Sequence, residues 1–153
     1  MRRSVSIIRV RFWPWAKTAA ICAGACSDQL AACVGNRVPL ESERGYHVQV
    51  LAAGTGPRTP MMAADGKIIA HWMNGGLRAG GQVEIAGLAA PADWRRAEIV
   101  YRHLRTMFDG LPPASDSPGV ERWLGHRPST PDGLPCIGPS AATHDVVLAF
   151  GHG

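Results

Sequence analysis

The sequence predicts an α+β fold: a mostly antiparallel sheet crossed on one face by a single long helix. Three observations predict it. The 18 glycines and 12 prolines among 153 residues demand many tight turns, and so favour short strands over a helical bundle. One stretch, 91–110, carries a sustained apolar period of three and four, the signature of an amphipathic helix. Other apolar residues alternate, or run in short blocks bounded by Gly and Pro, as in strands. With 46% hydrophobic and 18% charged residues, the chain has an ordinary globular composition, which excludes wholesale disorder.

The first 16 residues, MRRSVSIIRVRFWPWA, fit this pattern badly. Arg9 and Arg11 interrupt the apolar run and Pro14 breaks it, well short of the ~20 apolar residues of a membrane span. MRR resembles the basic start of a signal peptide, and Ala23-Gly24-Ala25 before Cys26 resembles a weak lipoprotein cleavage site. The basic residues extend too far into the apolar core for export to be the leading reading. Mass spectrometry is therefore expected to find no cleavage before Cys26 and no lipid on it.

From residue 18 to 24, TAAICAG reads as a short buried strand. Ser27 or Asp28 caps the next helix, SDQLAACVG, which stops at Gly35. VPLESERGYHVQVL enters a strand near Tyr46, placing Tyr46, Val48 and Val50 on one face. A Gly/Pro turn, AAGTGPRTP, comes next. Two further strands, KIIAHWM and GQVEIAG, flank NGGLRAGG, whose glycines permit a bend or a close backbone approach. The long helix opens at Pro91 and Asp93 and ends at Gly110, with Pro112 beyond. Its stripe is Trp94, Ala97, Val100, Tyr101, Leu104 and Phe108. Arg95, Arg96, Arg102 and Arg105 fall mostly off that stripe, on a solvated face. VERWLGHR is a strand, PSTPDGLPCIGPS is loop and strand, and DVVLAF is a buried strand running into Gly-His-Gly.

The net charge of +4 suggests nucleic acid at first sight. Five of the 16 basic residues, and none of the 12 acidic ones, fall in the first 17 positions. The body is thus close to neutral, and no aromatic residues interleave with basic ones as a stacking platform requires. Cys22, Cys26, Cys33 and Cys136 make no C-x-x-C pair. They read as small buried thiols in a reduced compartment rather than a metal site. The six histidines form no metal-ligand pair, and no G-x-S-x-G nucleophile elbow is present. GTGPR at 54–58 lacks the third glycine of a dinucleotide loop, and no G-x-G-x-x-G occurs in the chain. Arg127 stands out: it closes a strand and precedes a proline-stiffened loop. It can present a planar fork to a carboxylate, or form a structural pair with Asp132.

Four segments, in order, resemble the D-amino-acid oxidase/dehydrogenase family. GHRPSTPDGLPCIGPS at 125–140 is similar to that family's G-x-R-P-x-T-P-D-x-x-P-x-I-G segment. CAGACS at 22–27 resembles its A-A-G-A-W-S strand-turn, with Cys26 where the family has tryptophan. VPLESERGYHV at 38–48 resembles its P-x-x-x-x-R-G-Y entry into the substrate sheet, and LAFGHG at 148–153 its G-H-x-x-x-G flavin loop. The resemblance spans about residues 18–153.

The resemblance implies FAD as cofactor and an amino acid as substrate. Hydride passes from the α-carbon to the flavin, and water hydrolyses the imino acid to a keto acid and ammonia. It makes Arg127 the ligand of the substrate carboxylate, Tyr46 a pocket wall and His152 a neighbour of the flavin edge. Ala23, Gly24, Gly151 and Gly153 become cofactor-binding positions. It divides the chain into a basic N-terminal arm at 1–17 that matches nothing in the family, FAD-unit remnants at 18–37 and 125–153, and a substrate-binding unit at 38–124. The FAD-binding Rossmann-like unit is thereby expected to be incomplete. An incomplete or inactive fragment follows from this, with any missing half supplied by a complementary chain. Such a chain is expected to hold no FAD through gel filtration, and to self-associate through the uncovered end of its VVLAF strand. The implied compartment is the cytoplasm, with a link to the inner face of the membrane if the electron acceptor is a quinone rather than oxygen. The reading from a different class is an exported small-ligand protein that hooks a carboxylate with Arg127.

Overall fold

The computed structural model describes residues 16–153. The expectations for Arg9, Arg11 and Pro14 lie outside the described residues. Eight strands and two α-helices form two sheets: β1 (Ala19–Ile21), α1 (Ser27–Cys33), β2 (Glu41–Leu51), β3 (Met61–Ala63), β4 (Ile68–Met73), β5 (Gly76–Ile85), α2 (Arg95–Met107), β6 (Val120–Ser129), β7 (Cys136–Pro139) and β8 (Val146–Phe150). The larger sheet runs β3-β4-β5-β2-β6 and is antiparallel throughout. The smaller runs β1-β8-β7, with β1 parallel to β8 and β7 antiparallel to it. The α+β expectation is met, down to the single long helix.

Alternation explains the larger core. Tyr46, Val48 and Val50 of β2 are buried on one face, with Ile68, Ala70, Leu77 and Ala79 of the neighbouring strands. Ala97, Val100, Tyr101 and Leu104 of α2 close over them, none exposed. Trp94, assigned to the stripe from sequence, instead sits at the rim, 38% exposed. It meets the Tyr46 ring edge-on at 6.1 Å, and the Arg122 guanidinium lies over its face. The smaller core joins Ile21, Val146, Leu148 and Phe150 of the second sheet to Ala31 of α1.

Several local expectations need correction. NGGLRAGG is mostly strand, because Asn74 (φ 49°) and Gly75 (φ 76°) make the two-residue turn that pairs Met73 with Gly76. Positive φ at both central positions is the hairpin geometry that Asn-Gly favours. The strand expected near Tyr46 begins five residues earlier, at Glu41. β3 adds a short strand that pairs with β4 and has no counterpart in the sequence reading. Ser27 does not cap α1 from outside: it is the first residue of the helix and is buried, and its hydroxyl accepts the Ala23 N–H at 2.9 Å. A 3₁₀ turn, Gly24–Cys26, runs directly into α1 instead. Cys22, Cys26 and Cys33 are exposed rather than buried: the apolar contacts of α1 run through Ala31, Leu30 and Val34, and the thiols face away.

Candidate functional site

The two faces of the larger sheet have different jobs. Beneath α2 lies a buried polar network built on Arg44, which is 1% exposed and in phase with Tyr46 and Val48 along β2. Its Nη2 donates to the Pro91 carbonyl at 2.9 Å, and its Nε lies 3.5 Å from Glu84 Oε2. Tyr46 donates its hydroxyl proton to the same carboxylate at 2.7 Å and accepts the Asp93 N–H at 3.0 Å. Burial, then the bond to Glu84, raises the Tyr46 pKa above its ordinary value. The Tyr46 hydroxyl is therefore committed to the helix side. We expect Tyr46→Phe to cost about 1–3 kcal/mol, because it strands a buried acceptor and a buried donor; urea denaturation of the two proteins measures it.

The opposite face is open. Here Gly45 of β2 pairs directly with Gly125 of β6. Both flat positions are covered by side chains from β6. A Cβ on Gly45 would lie 2.9 Å from Arg127 Nη2 and 3.1 Å from its Cζ, so the guanidinium lies against the bare backbone. A Cβ on Gly125 would overlap the Trp123 indole. Trp123 in turn stacks on His47, rings 4.6 Å apart and 18° from parallel. A cavity of about 380 Å³ opens here, bordered by Arg127, Trp123, His47, Ile69, His71 and Arg78. Arg127 lies inside β6, opposite Glu43. It is exposed, and the ion pairs and side-chain hydrogen bonds among the described residues do not include it. The pair with Asp132 is absent: Asp132 Oδ1 accepts the Leu134 N–H at 3.1 Å instead.

His47 is held with its pKa below the ordinary value, by partial burial first, then by the charges of Arg78 and His71. Its depressed folded value means that the unfolded chain binds the extra proton first. This contribution to stability is complete above about pH 6.5 and is lost as pH falls below it. Thermal melts through that interval should show wild type losing stability on acidification more steeply than His47→Gln.

The smaller sheet brings the other expected positions to the same end of the molecule. β1 and β8 are parallel, and both end in glycine turns with positive φ, Gly24 at 57° and Gly151 at 87°. No atom lies within 4 Å of where a Cβ on Gly24 would be. The Gly24–Cys26 turn packs against β6, and Gly153 N–H donates to the Pro128 carbonyl at 3.0 Å, one residue from Arg127. Ala23, Gly24, Gly151, Gly153 and Arg127 thus converge. His152 is exposed beside them, while Tyr46 borders the cavity on the open face with its hydroxyl committed to the helix side. Sequence reasoning missed Trp123, His47, Gly45, Gly125 and Arg78. The R-G-Y run carried a signal for Gly45, while the others become neighbours only through strand register.

The backbone at Gly24 is open, whereas a Cβ on the buried Gly151 would lie 3.1 Å from Thr130 Cγ2; the carboxyl ends of parallel strands are where a nucleotide cofactor is received in α/β sheets. The model for the FAD dependent oxidoreductase family matches residues 5–153. The chain belongs to this family, whose cofactor is FAD. It is 55% identical over 135 residues to a D-amino-acid oxidase of Bradyrhizobium diazoefficiens, covering 88% of this chain and 32% of that protein. It is 32% identical over 132 residues to a D-amino acid dehydrogenase of Cereibacter sphaeroides, covering 85% and 29%. Among solved structures, glycine oxidase from Geobacillus kaustophilus superposes with a TM-score of 0.70 at 24% identity, over 88% of this chain and 36% of that one. Iminodiacetate oxidase from Chelativorans sp. BNC1 gives 0.72 at 19%, over 90% and 37%. The chain spans about a third of the length of the curated relatives it matches. No helix among the described residues is long and apolar enough to cross a membrane.

Proposed function

We propose that this chain forms the substrate-recognition part of an enzyme that oxidatively deaminates amino acids with FAD, in the manner of a D-amino-acid oxidase or dehydrogenase. The observation that carries the reading is Arg127: an exposed guanidinium without an internal acceptor, bedded flat on Gly45 and one residue from the carbonyl that holds Gly153. A charge that persists at every physiological pH, in a planar fork lying against Gly45, suits a substrate carboxylate. Trp123 and His47 supply an aromatic shelf beside it. Ala23 and Gly24 offer open backbone that a flavin can approach closely; Gly151, which is buried, and Gly153 form the turn that faces it, and His152 stands near its edge. Bound FAD would supply the two-electron acceptor. Arg127 then contributes by orientation, since a fixed carboxylate also fixes the direction of the α-hydrogen.

Residues 18–37 and 125–153 act in this reading with the cofactor, and 38–124 with the substrate. The cofactor-binding segments of the longer relatives complete the site, supplied on the same polypeptide or by a complementary chain. Activity in the cytoplasm, with oxygen or a membrane quinone as final acceptor, is consistent with it.

The test is a chimera in which residues 18–153 replace the matching third of the Bradyrhizobium diazoefficiens relative. Arg127→Lys keeps the charge and loses the fork. The expected result is a fall in kcat/KM of more than about tenfold, roughly 1.4 kcal/mol of transition-state binding, with little change in Tm. Earlier unfolding with normal turnover by the surviving fraction would make Arg127 structural.

A further inference from the structure

The cavity on the open face has a second cationic end. Arg78 of β5 stands opposite Gln49 of β2, and its Nε and Nη2 both donate to Gln49 Oε1, at 2.9 and 2.7 Å. This grip leaves Nη1 uncommitted and holds the guanidinium in place. His71 pairs with Arg78 across the β4–β5 register. Lys67, exposed in the turn just before β4, borders the same space. The cavity lining holds two arginines, a lysine and three histidines, with no aspartate or glutamate. Glu121 stands on the far side of Gln49 from Arg78 and makes no ion pair with it. Arg127, Arg78 and Lys67 make no ion pair among the described residues, although Glu43 stands opposite Arg127 in the β2–β6 register; neighbouring cations left unpaired repel one another, and an anionic ligand relieves that repulsion.

The two arginines are set apart along one strand. Arg127 lies on Gly45 and Arg78 is gripped by Gln49, and four residues of extended strand separate those anchors by ~13 Å. His47, with Trp123 stacked on it, occupies the middle. Two guanidinium–carboxylate contacts placed end to end, joined by a chain of a few carbons, span about that length. We propose that Arg78 is a second anion-recognition point in this cavity, and that the preferred substrate is an amino acid with an acidic side chain of glutamate length. Its α-carboxylate lies on Arg127, its carbon chain over the His47–Trp123 shelf and its side-chain carboxylate on Arg78. The proposal rests on the carboxylate role of Arg127 stated above.

Direct binding to the chimera described above, freed of FAD, tests it without turnover. D-glutamate and D-glutamine have nearly the same shape and differ in side-chain charge; calorimetry or NMR titration compares them. D-glutamate should bind at least tenfold more tightly. Arg78→Gln should bring the ratio to about one, and Arg78→Lys, which keeps the charge, should retain part of it; far-UV circular dichroism checks that both variants fold. Equal affinity of wild type for the two ligands, weakened for both by Arg127→Lys, overturns the second anion point and leaves the Arg127 reading standing. A preference that survives Arg78→Gln overturns the assignment to Arg78. Binding indifferent to Arg127→Lys overturns the underlying reading, and no binding of either ligand overturns both.

Discussion

Glu84→Leu is expected to destabilise the fold by about 3–5 kcal/mol, since it removes the counter-charge of a buried cation. Arg44 is 1% exposed, and its Nε and Nη1 have no hydrogen-bond partner in the structure. Glu84, 3.5 Å from Nε, is its nearest anion among the ion pairs of the described residues. The same carboxylate accepts the Tyr46 hydroxyl at 2.7 Å and lies 3.7 Å from Arg96 Nε. Leucine fills similar space and leaves the guanidinium dry and unpaired. A companion experiment separates lost packing from lost charge. Arg44→Met together with Glu84→Leu replaces the pair by apolar residues of similar volume, a change that is often neutral or stabilising. The double variant should recover most of the loss in urea denaturation. A single variant that loses less than about 1 kcal/mol would mean that solvent reaches Arg44 and that the network contributes little.

That network shows where sequence reading stops. Arg44 and Glu84 look like ordinary surface charges in a linear chain. The phase of β2 carried the correction, because Arg44 alternates with Tyr46, Val48 and Val50 and must share their buried face. The helix over 95–107 was legible because its apolar stripe is long and Gly110 closely follows its end. The hairpin at Asn74-Gly75 was hidden among neighbouring glycines, although Asn-Gly between two apolar runs is itself the turn signal. Met61–Ala63 is too short to alternate visibly and exists by pairing with β4. The thiols of α1 were misplaced because the position of the smaller core relative to that short helix is a tertiary fact.

The candidate site divides in the same way. Arg127 could be picked out by its place before a proline-stiffened loop, and the glycines of the 22–27 and 148–153 segments by family resemblance. Gly45, Gly125, Trp123 and His47 could not, because they come together through the register of β2 against β6. A one-residue slip would send Arg127 to the helix side and leave the open face without its fork. Side-chain contacts of β2 oppose such a slip: Ser42 hydroxyl meets the exposed His126 Nδ1 at 2.8 Å, and on the helix side Tyr46 reaches Glu84. The core side of β2 thus fixes the geometry of its open side.

Gly45→Val provides the sharpest test of that geometry. Gly45 does not have positive φ, and valine suits a central strand, so the backbone accepts the change. The space does not. The new Cβ would lie 2.9 Å from Arg127 Nη2 and 3.1 Å from Nη1 and Cζ, and the two valine methyls would reach further. What must yield is the far end of a flexible exposed side chain, so the cost to stability is small. The guanidinium has to leave its bed by an ångström or more, and displacement on that scale costs about a hundredfold in an oriented reaction. In the chimera, kcat/KM is expected to fall by about that factor while Tm holds or rises. Gly45→Ala, which adds only the Cβ, should fall between this variant and wild type. The order wild type, alanine, valine is what distinguishes a bed for Arg127 from a merely tolerated glycine. Unchanged kcat/KM in the valine variant, with the Tm maintained, would show that the position of Arg127 on Gly45 is irrelevant to substrate binding.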